Sequence, residues 1–216
     1  MSISVQQAAE IMGKNFVGIE EGERHFGPIV YTQNRTRVAR ARFDEETLKR
    51  RATSHALVLD SGVSILTMHK TEHFHFTDPF NQGPWYEQME PGRRIEAPQW
   101  RLIPLVPLPF SCEKTKKEQE EFVELWMQQH PRRIVTIPAA RHVVFATMLL
   151  WKIHGINILN DGEEIRTKDA TKQDRTMVVG PFVDGVLTVG TANHQEASRT
   201  LGTMVLPNHR WYTMPE

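Results

Sequence analysis

Hydrophobic positions in this chain change their spacing twice, dividing it into a helical opening, a mixed middle and a strand-rich end. Ser4 and Gln7 form a Ser-x-x-Gln capping box, which starts a first short helix. Gly13 ends that helix, because a left-handed residue costs glycine little. A second helix is predicted over Ile19 to Phe26, stopped by Gly27-Pro28. Residues 29–43 alternate loosely and read as extended chain. Asp44-Glu45-Glu46 then opens a short helix with acids at its positive end and Lys49, Arg50 and Arg51 at its negative end. His55 to Asp60 is a compact apolar run that predicts a buried strand, while Ser64 to Met68 fits either a strand or a helical start.

Thr77 to Arg94 is rich in Pro, Gly, Asn and aromatic residues and reads as a long irregular loop. Trp100 to Phe110 is apolar but carries Pro104, Pro107 and Pro109, so it is an edge strand or an extended connector. Glu113 to Gln129 predicts an amphipathic helix whose inner stripe is Phe122, Leu125, Trp126 and Gln129. Ala139 to His154, between Pro138 and Gly155, is apolar nearly all round and reads as the buried centre of the core. After Gly155 the period becomes twofold. Asn160-Asp161-Gly162 marks a turn, and Asp184-Gly185 joins Thr176–Val183 to Val186–Gly190 as a hairpin. Leu201 to Leu206 adds a further strand.

This order predicts an α+β fold: a helical N-terminal part, a buried central helix and a C-terminal antiparallel β-meander. The 216 residues suit one domain, in which 1–28 is a candidate helical appendage to a 29–216 core.

Charge and cysteine content narrow the chemistry. Lys+Arg and Asp+Glu both number 26, so net charge gives no argument for a polyanion partner. One Cys excludes an internal disulfide framework and a Cys-built zinc site. No signal peptide or membrane span is readable, and a reducing cytoplasm is the expected location.

Four local patterns are candidates for function. The opening has the spacing of a helix-turn-helix at Ala9, Gly13 and Ile19. Its second helix carries Glu20, Glu21 and Glu23 against Arg24, which phosphates would repel, so helix packing is the better reading. Arg35, Arg37, Arg40 and Arg42 are a candidate nucleic-acid contact, but on an extended strand they divide between two faces. His69, His73 and His75 are candidate ligands of a divalent metal, with Asp60 or Asp78 as an added carboxylate. Arg101 to Pro107 fits the pattern of an SH3-domain ligand, which needs an exposed polyproline helix.

The opening Met12-Gly13-Lys14-Asn15-Phe16 with Gly18, followed by His25-Phe26-Gly27, resembles the start of a group of uncharacterised bacterial proteins. Trp85-Tyr86 and the Pro138–Gly155 helix extend the likeness. The resemblance implies no activity, fold or site.

The function expected from the sequence is a non-catalytic cytosolic binding or interaction protein without a cofactor or catalytic residue. A protein partner would meet Phe80, Trp85 and Tyr86, since loop aromatics make effective contact area. The alternatives are a metal-dependent hydrolase-like enzyme built on the His cluster and a nucleic-acid binder built on the arginines.

Overall fold

The structure is a computed structural model and describes residues 1–28, 32–71, 75–77, 90–130, 135–159, 162–171, 175–207 and 211–214. In chain order the first half contains β1 (Ser2–Ile3), α1 (Val5–Met12), β2 (Phe16–Val17), α2 (Ile19–Phe26), α3 (Thr32–Ala39), β3 (Arg42–Asp44), α4 (Glu45–Arg51), β4 (His55–Asp60), α5 (Ile65–Lys70), β5 (His75–Thr77), α6 (Glu90–Arg93) and β6 (Gln99–Pro104). The second half contains α7 (Lys116–Gln129), β7 (Val135–Thr136), α8 (Ala140–His154), β8 (Glu164–Ala170), β9 (Arg175–Val183), β10 (Val186–Asn193), β11 (Leu201–Thr203), β12 (Leu206–Pro207) and β13 (Tyr212–Thr213). The fold is mixed α+β with antiparallel strands at its C-terminal end.

Four small sheets organise these elements. A five-stranded sheet has the order β11-β8-β9-β10-β5, antiparallel in its middle and parallel at both edges. A second sheet, β2-β4-β6, has β4 at its centre and β6 on its edge. The other two are β1-β3-β13 and the pair β12-β7.

β4 is buried along its whole length because each of its faces serves a different apolar cluster. Ala56 and Val58, with Ile103 of β6, join the cluster around α8. That cluster continues through Val144, Phe145, Met148 and Leu149 to Ile165, Met177, Val179 and Phe182 on the five-stranded sheet. Leu57 and Leu59, with Trp100 and Leu102 of β6, face Ile3, Ala8, Met12, Phe43 and Leu48 on the other side. A strand covered on both faces needs apolar residues at successive positions, which explains the unbroken run in the sequence.

Local sequence signals account for most boundaries. Both bonds of the Ser4–Gln7 capping box form, and Gly13 closes α1 at φ 54°. Thr115 and Glu118 make an equivalent box at α7. Asp184 and Gly185 take φ of 51° and 80°, as the tight hairpin between β9 and β10 requires. Ser64 caps the stretch that fitted either a strand or a helix, and α5 follows.

Three expectations are corrected. Residues 32–39 are helical rather than extended: Val38 is their single buried apolar residue, so periodicity had nothing to register. The Trp100 indole donates to the Val38 carbonyl at 3.0 Å and anchors that helix. On α7 the inner face is Gln119 and Val123, and Leu125 is 55% exposed. Gln119 turns inward because its amide donates to the Ser111 and Leu201 carbonyls at 2.9 and 3.0 Å. Residues 90–93 form the turn of α6 rather than irregular loop, and 78–89 lie outside the described residues. The central helix is buried from Ala140 to Leu150, while its last turn emerges with Trp151 at 38% exposure.

Candidate functional site

The first turn of α8 places Arg141 and His142 at the positive end of a helix whose other buried positions are mostly apolar. Three carboxylates converge there. Asp169 accepts from the Ala140 backbone N–H at 2.7 Å, and Asp60 and Glu96 take the side chains. Asp60 reaches the cluster from the α8-facing side of β4, and Arg101 reaches it from β6, in the register that pairs Val58 with Arg101. Glu96 is delivered by a backbone contact: its N–H donates to the Gly62 carbonyl at 3.0 Å, and Gly62 N–H donates to Asp60 Oδ1 at 2.9 Å.

The resulting network is nearly closed. Arg141 donates to both oxygens of Asp60, at 2.6 and 2.9 Å, and to Glu96 Oε2 at 2.7 Å. Arg101 donates to Asp60 Oδ2 at 2.8 Å and to Glu96 Oε2 at 2.9 Å. Asp60 therefore accepts four bonds, one for each lone pair of its carboxylate. His142 Nε2 lies 3.2 Å from Glu96 Oε2, and because a carboxylate only accepts, Nε2 carries the proton. Nδ1 is then a buried acceptor without a partner among the described residues.

These contacts set the ionisation states. Burial alone would push the Asp60 carboxyl up, but the Arg141 and Arg101 charges outweigh it and hold the group well below its usual range. The His142 hydrogen bond and the Arg141 charge lower Glu96 to about 2 against the opposing effect of burial. Burial lowers His142 to about 4, so it is neutral at physiological pH. Two carboxylates and two guanidinium groups thus balance, and none of the three titrating side chains is poised near neutral pH for proton transfer.

Asp60, Glu96 and His142 are also the one set of three metal-capable groups within 4.8 Å of one another among the described residues. They are poorly suited to hold a cation. The lone pairs of Asp60 are filled, and two guanidinium groups within 3 Å of the carboxylates would repel a second positive centre.

The network should make folding pH-dependent. His142 is lowered in the folded state, so the unfolded chain binds the extra proton between pH 6.5 and about 4, and stability falls as pH falls through that window. At about 1.36 kcal/mol per pH unit the loss attributable to His142 integrates to roughly 3 kcal/mol. Asp169 and Glu164, both raised by burial, act in the opposite direction over part of the same range. The difference between wild type and His142→Gln isolates the histidine: the variant should lose most of this acid sensitivity in urea unfolding followed against pH. Parallel curves for the two proteins would refute the assignment.

A second site lies at the other end of β4. A groove of about 250 Å3 is lined by Pro104, Val106, Pro107, Leu108, Pro109, Trp126, Val135, Val205 and Pro207, together with Arg51, Ser54 and His55. It forms because β6 ends at Pro104 and the prolines that follow cannot extend the ladder, so the chain turns away and exposes apolar wall. His55 is held on both ring nitrogens, by Arg51 Nη1 at 3.0 Å and Ser54 Oγ at 2.9 Å.

The sequence-predicted residues fall elsewhere. Phe80, Trp85, Tyr86 and His73 lie outside the described residues. His69 is on helix α5 and His75 is on strand β5, so the cluster does not occupy one strand. Arg35 forms an exposed ion pair with Glu23 at 2.9 Å, Arg37 is on the same helix, and Arg42 lies on β3. Arg101 to Pro104 is the buried edge strand β6, not an exposed polyproline helix. The membrane expectation stands only in its coarser form: among the described residues, no helix is long and apolar enough to cross a membrane.

No family model, curated protein or solved structure matches the chain.

Proposed function

We propose that this chain is a non-catalytic binding protein of a reducing, cytosolic compartment, and that its ligand sits in the groove beside His55. The observation that carries the reading is the groove itself, an open and mostly apolar surface with a few polar side chains in its lining. Binding sites for small molecules combine those features: apolar walls supply affinity and a few fixed polar groups supply orientation. The ionic cluster under α8 supports the same reading from the other side. Its charges are balanced and its titrating groups lie far from neutral pH, which suits a structural tie better than acid–base chemistry.

Methyl and indole NMR tests the proposal. Indole and cyclohexanol, each at about 1 mM, where even a weak interaction of about 4 kcal/mol gives half-saturation, should shift the methyls of Val106, Val135 and Val205 and the Trp126 indole N–H. Val106 is 54% exposed, so Val106→Trp should fill the groove without unfolding the protein and abolish those shifts. Spectra that neither compound perturbs would overturn the proposal.

A further inference from the structure

We infer that this chain pairs with a second copy of itself, the Phe110 ring of each copy entering the groove of the other. The inference goes beyond the small-molecule reading and does not need it. Phe110 stands where the backbone favours another residue. The Ser111 N–H donates to the Leu108 carbonyl at 3.1 Å, which closes a turn with Pro109 and Phe110 at its centre. Pro109 fixes a negative φ and Phe110 takes φ of 63°, the pattern of a type II turn, whose third residue is usually glycine because a Cβ is strained there. The ring is also 85% exposed, so it gains little from the chain's own core. Both flanks of the turn are nevertheless tied down. The Leu108 N–H donates to the Thr203 carbonyl at 2.8 Å, and the Ser111 carbonyl accepts from the Gln119 amide at 2.9 Å. A strained turn that holds an unburied aromatic ring on a fixed base suits recognition better than packing.

The same face specifies a second copy as the partner. A two-fold interface is self-complementary, so one surface must carry both a knob and the hole that receives it. Leu108 and Pro109, the two residues before Phe110, line the groove, which sets the hole directly beside the knob. The groove, at about 250 Å3, is larger than the roughly 150 Å3 that accommodates benzene, so a phenyl ring fits. Pro104, Val106, Pro107 and Leu108 give it an apolar wall. Val106 is exposed, as is Leu125, the neighbour of Trp126 in the lining. Covering these side chains together with the ring removes an apolar patch from water.

Sedimentation velocity on the full chain between about 5 and about 500 µM should show the mean mass rising from one chain toward two, as a small interface of micromolar affinity requires. Phe110→Gly should weaken this association about tenfold or more. In dilute solution the same variant should melt roughly 2–4 °C above wild type, because glycine relieves the turn. Val106→Trp closes the hole and should weaken association to a similar degree while leaving Phe110 in place. A wild-type protein that stays monomeric to about 500 µM would overturn the inference, as would a Phe110→Gly protein that associates normally. A Phe110→Gly melting temperature several degrees below wild type would assign the ring to the chain's own fold and overturn it as well. Association lost in Phe110→Gly but retained in Val106→Trp would seat the ring outside the groove, against the contact inferred here. The small-molecule reading is decided separately, by whether indole or cyclohexanol shifts the groove methyls of Phe110→Gly, in which the groove stays open.

Discussion

Arg141→Met should destabilise the protein by about 3–5 kcal/mol, because it leaves Asp60 buried with only Arg101 and the Gly62 N–H as partners. The methionine replaces most of the volume of the arginine stem, so the loss measures the uncompensated charge more than a cavity. Arg141 and Asp60 are each 1% exposed, so water does little to screen the carboxylate left behind. Neutralising the partner should recover part of the loss: in urea unfolding, Asp60→Asn with Arg141→Met should be at least about 1 kcal/mol more stable than the sum of the single changes predicts. An Arg141→Met protein within about 0.5 kcal/mol of wild type would show that the network contributes little to the fold. Such a result would also reopen a catalytic role, since a site maintained for chemistry is often dispensable for stability.

The second large effect is expected from a single methyl group. Gly62 has φ of 84°, and a Cβ there would stand 1.9 Å from the Glu96 carbonyl oxygen. The obstacle is backbone, so the 94–98 segment would have to move, taking Glu96 away from Arg101, Arg141 and His142. Left-handed strain adds about 1–2 kcal/mol. Gly62→Ala should therefore cost about 4 kcal/mol or more and lower the melting temperature by roughly 8–16 °C for a chain of this size. A Tm unchanged within a degree or two would mean that Glu96 is not seated by this contact. Gly13→Ala is a useful control: its φ is 54°, but nothing lies within 4 Å of the added carbon. It should show the backbone strain without the collision.

The elements that the sequence predicts well are those whose causes are local. The capping box of α1 and the Asp184-Gly185 hairpin are each specified by residues no more than a few positions apart, and both are present. The central helix was legible because eleven consecutive positions, Ala140 to Leu150, are buried, which demands an apolar surface all round. The ionic centre was not legible in this way. Its members come from β4, β6, α8 and the 94–98 segment, and Asp60 and Arg141 are separated by 81 positions. One signal was available: Arg141 and His142 are polar residues inside an otherwise apolar helix, and a buried charge requires a partner. The identity of that partner depends on strand register, which no local pattern carries. The groove was invisible for a different reason. Pro104, Pro107 and Pro109 marked their stretch as an edge strand or an extended connector, but not that Trp126, Val135 and Val205 would face it across a gap.

The double duty of β4 bears on how the chain can be handled. Ala56 and Val58 wall the layer around α8, while Leu57 and Leu59 wall the layer that holds α1 and β3. A fragment beginning after Asp60 would strip one wall from the later half, and a fragment ending there would lack the partner strand β6. Neither piece would be self-sufficient, so tags and fusions belong at the ends of the chain, and trimming should spare everything from β1 to β13, whose Ile3, Leu201, Met204 and Tyr212 are all buried.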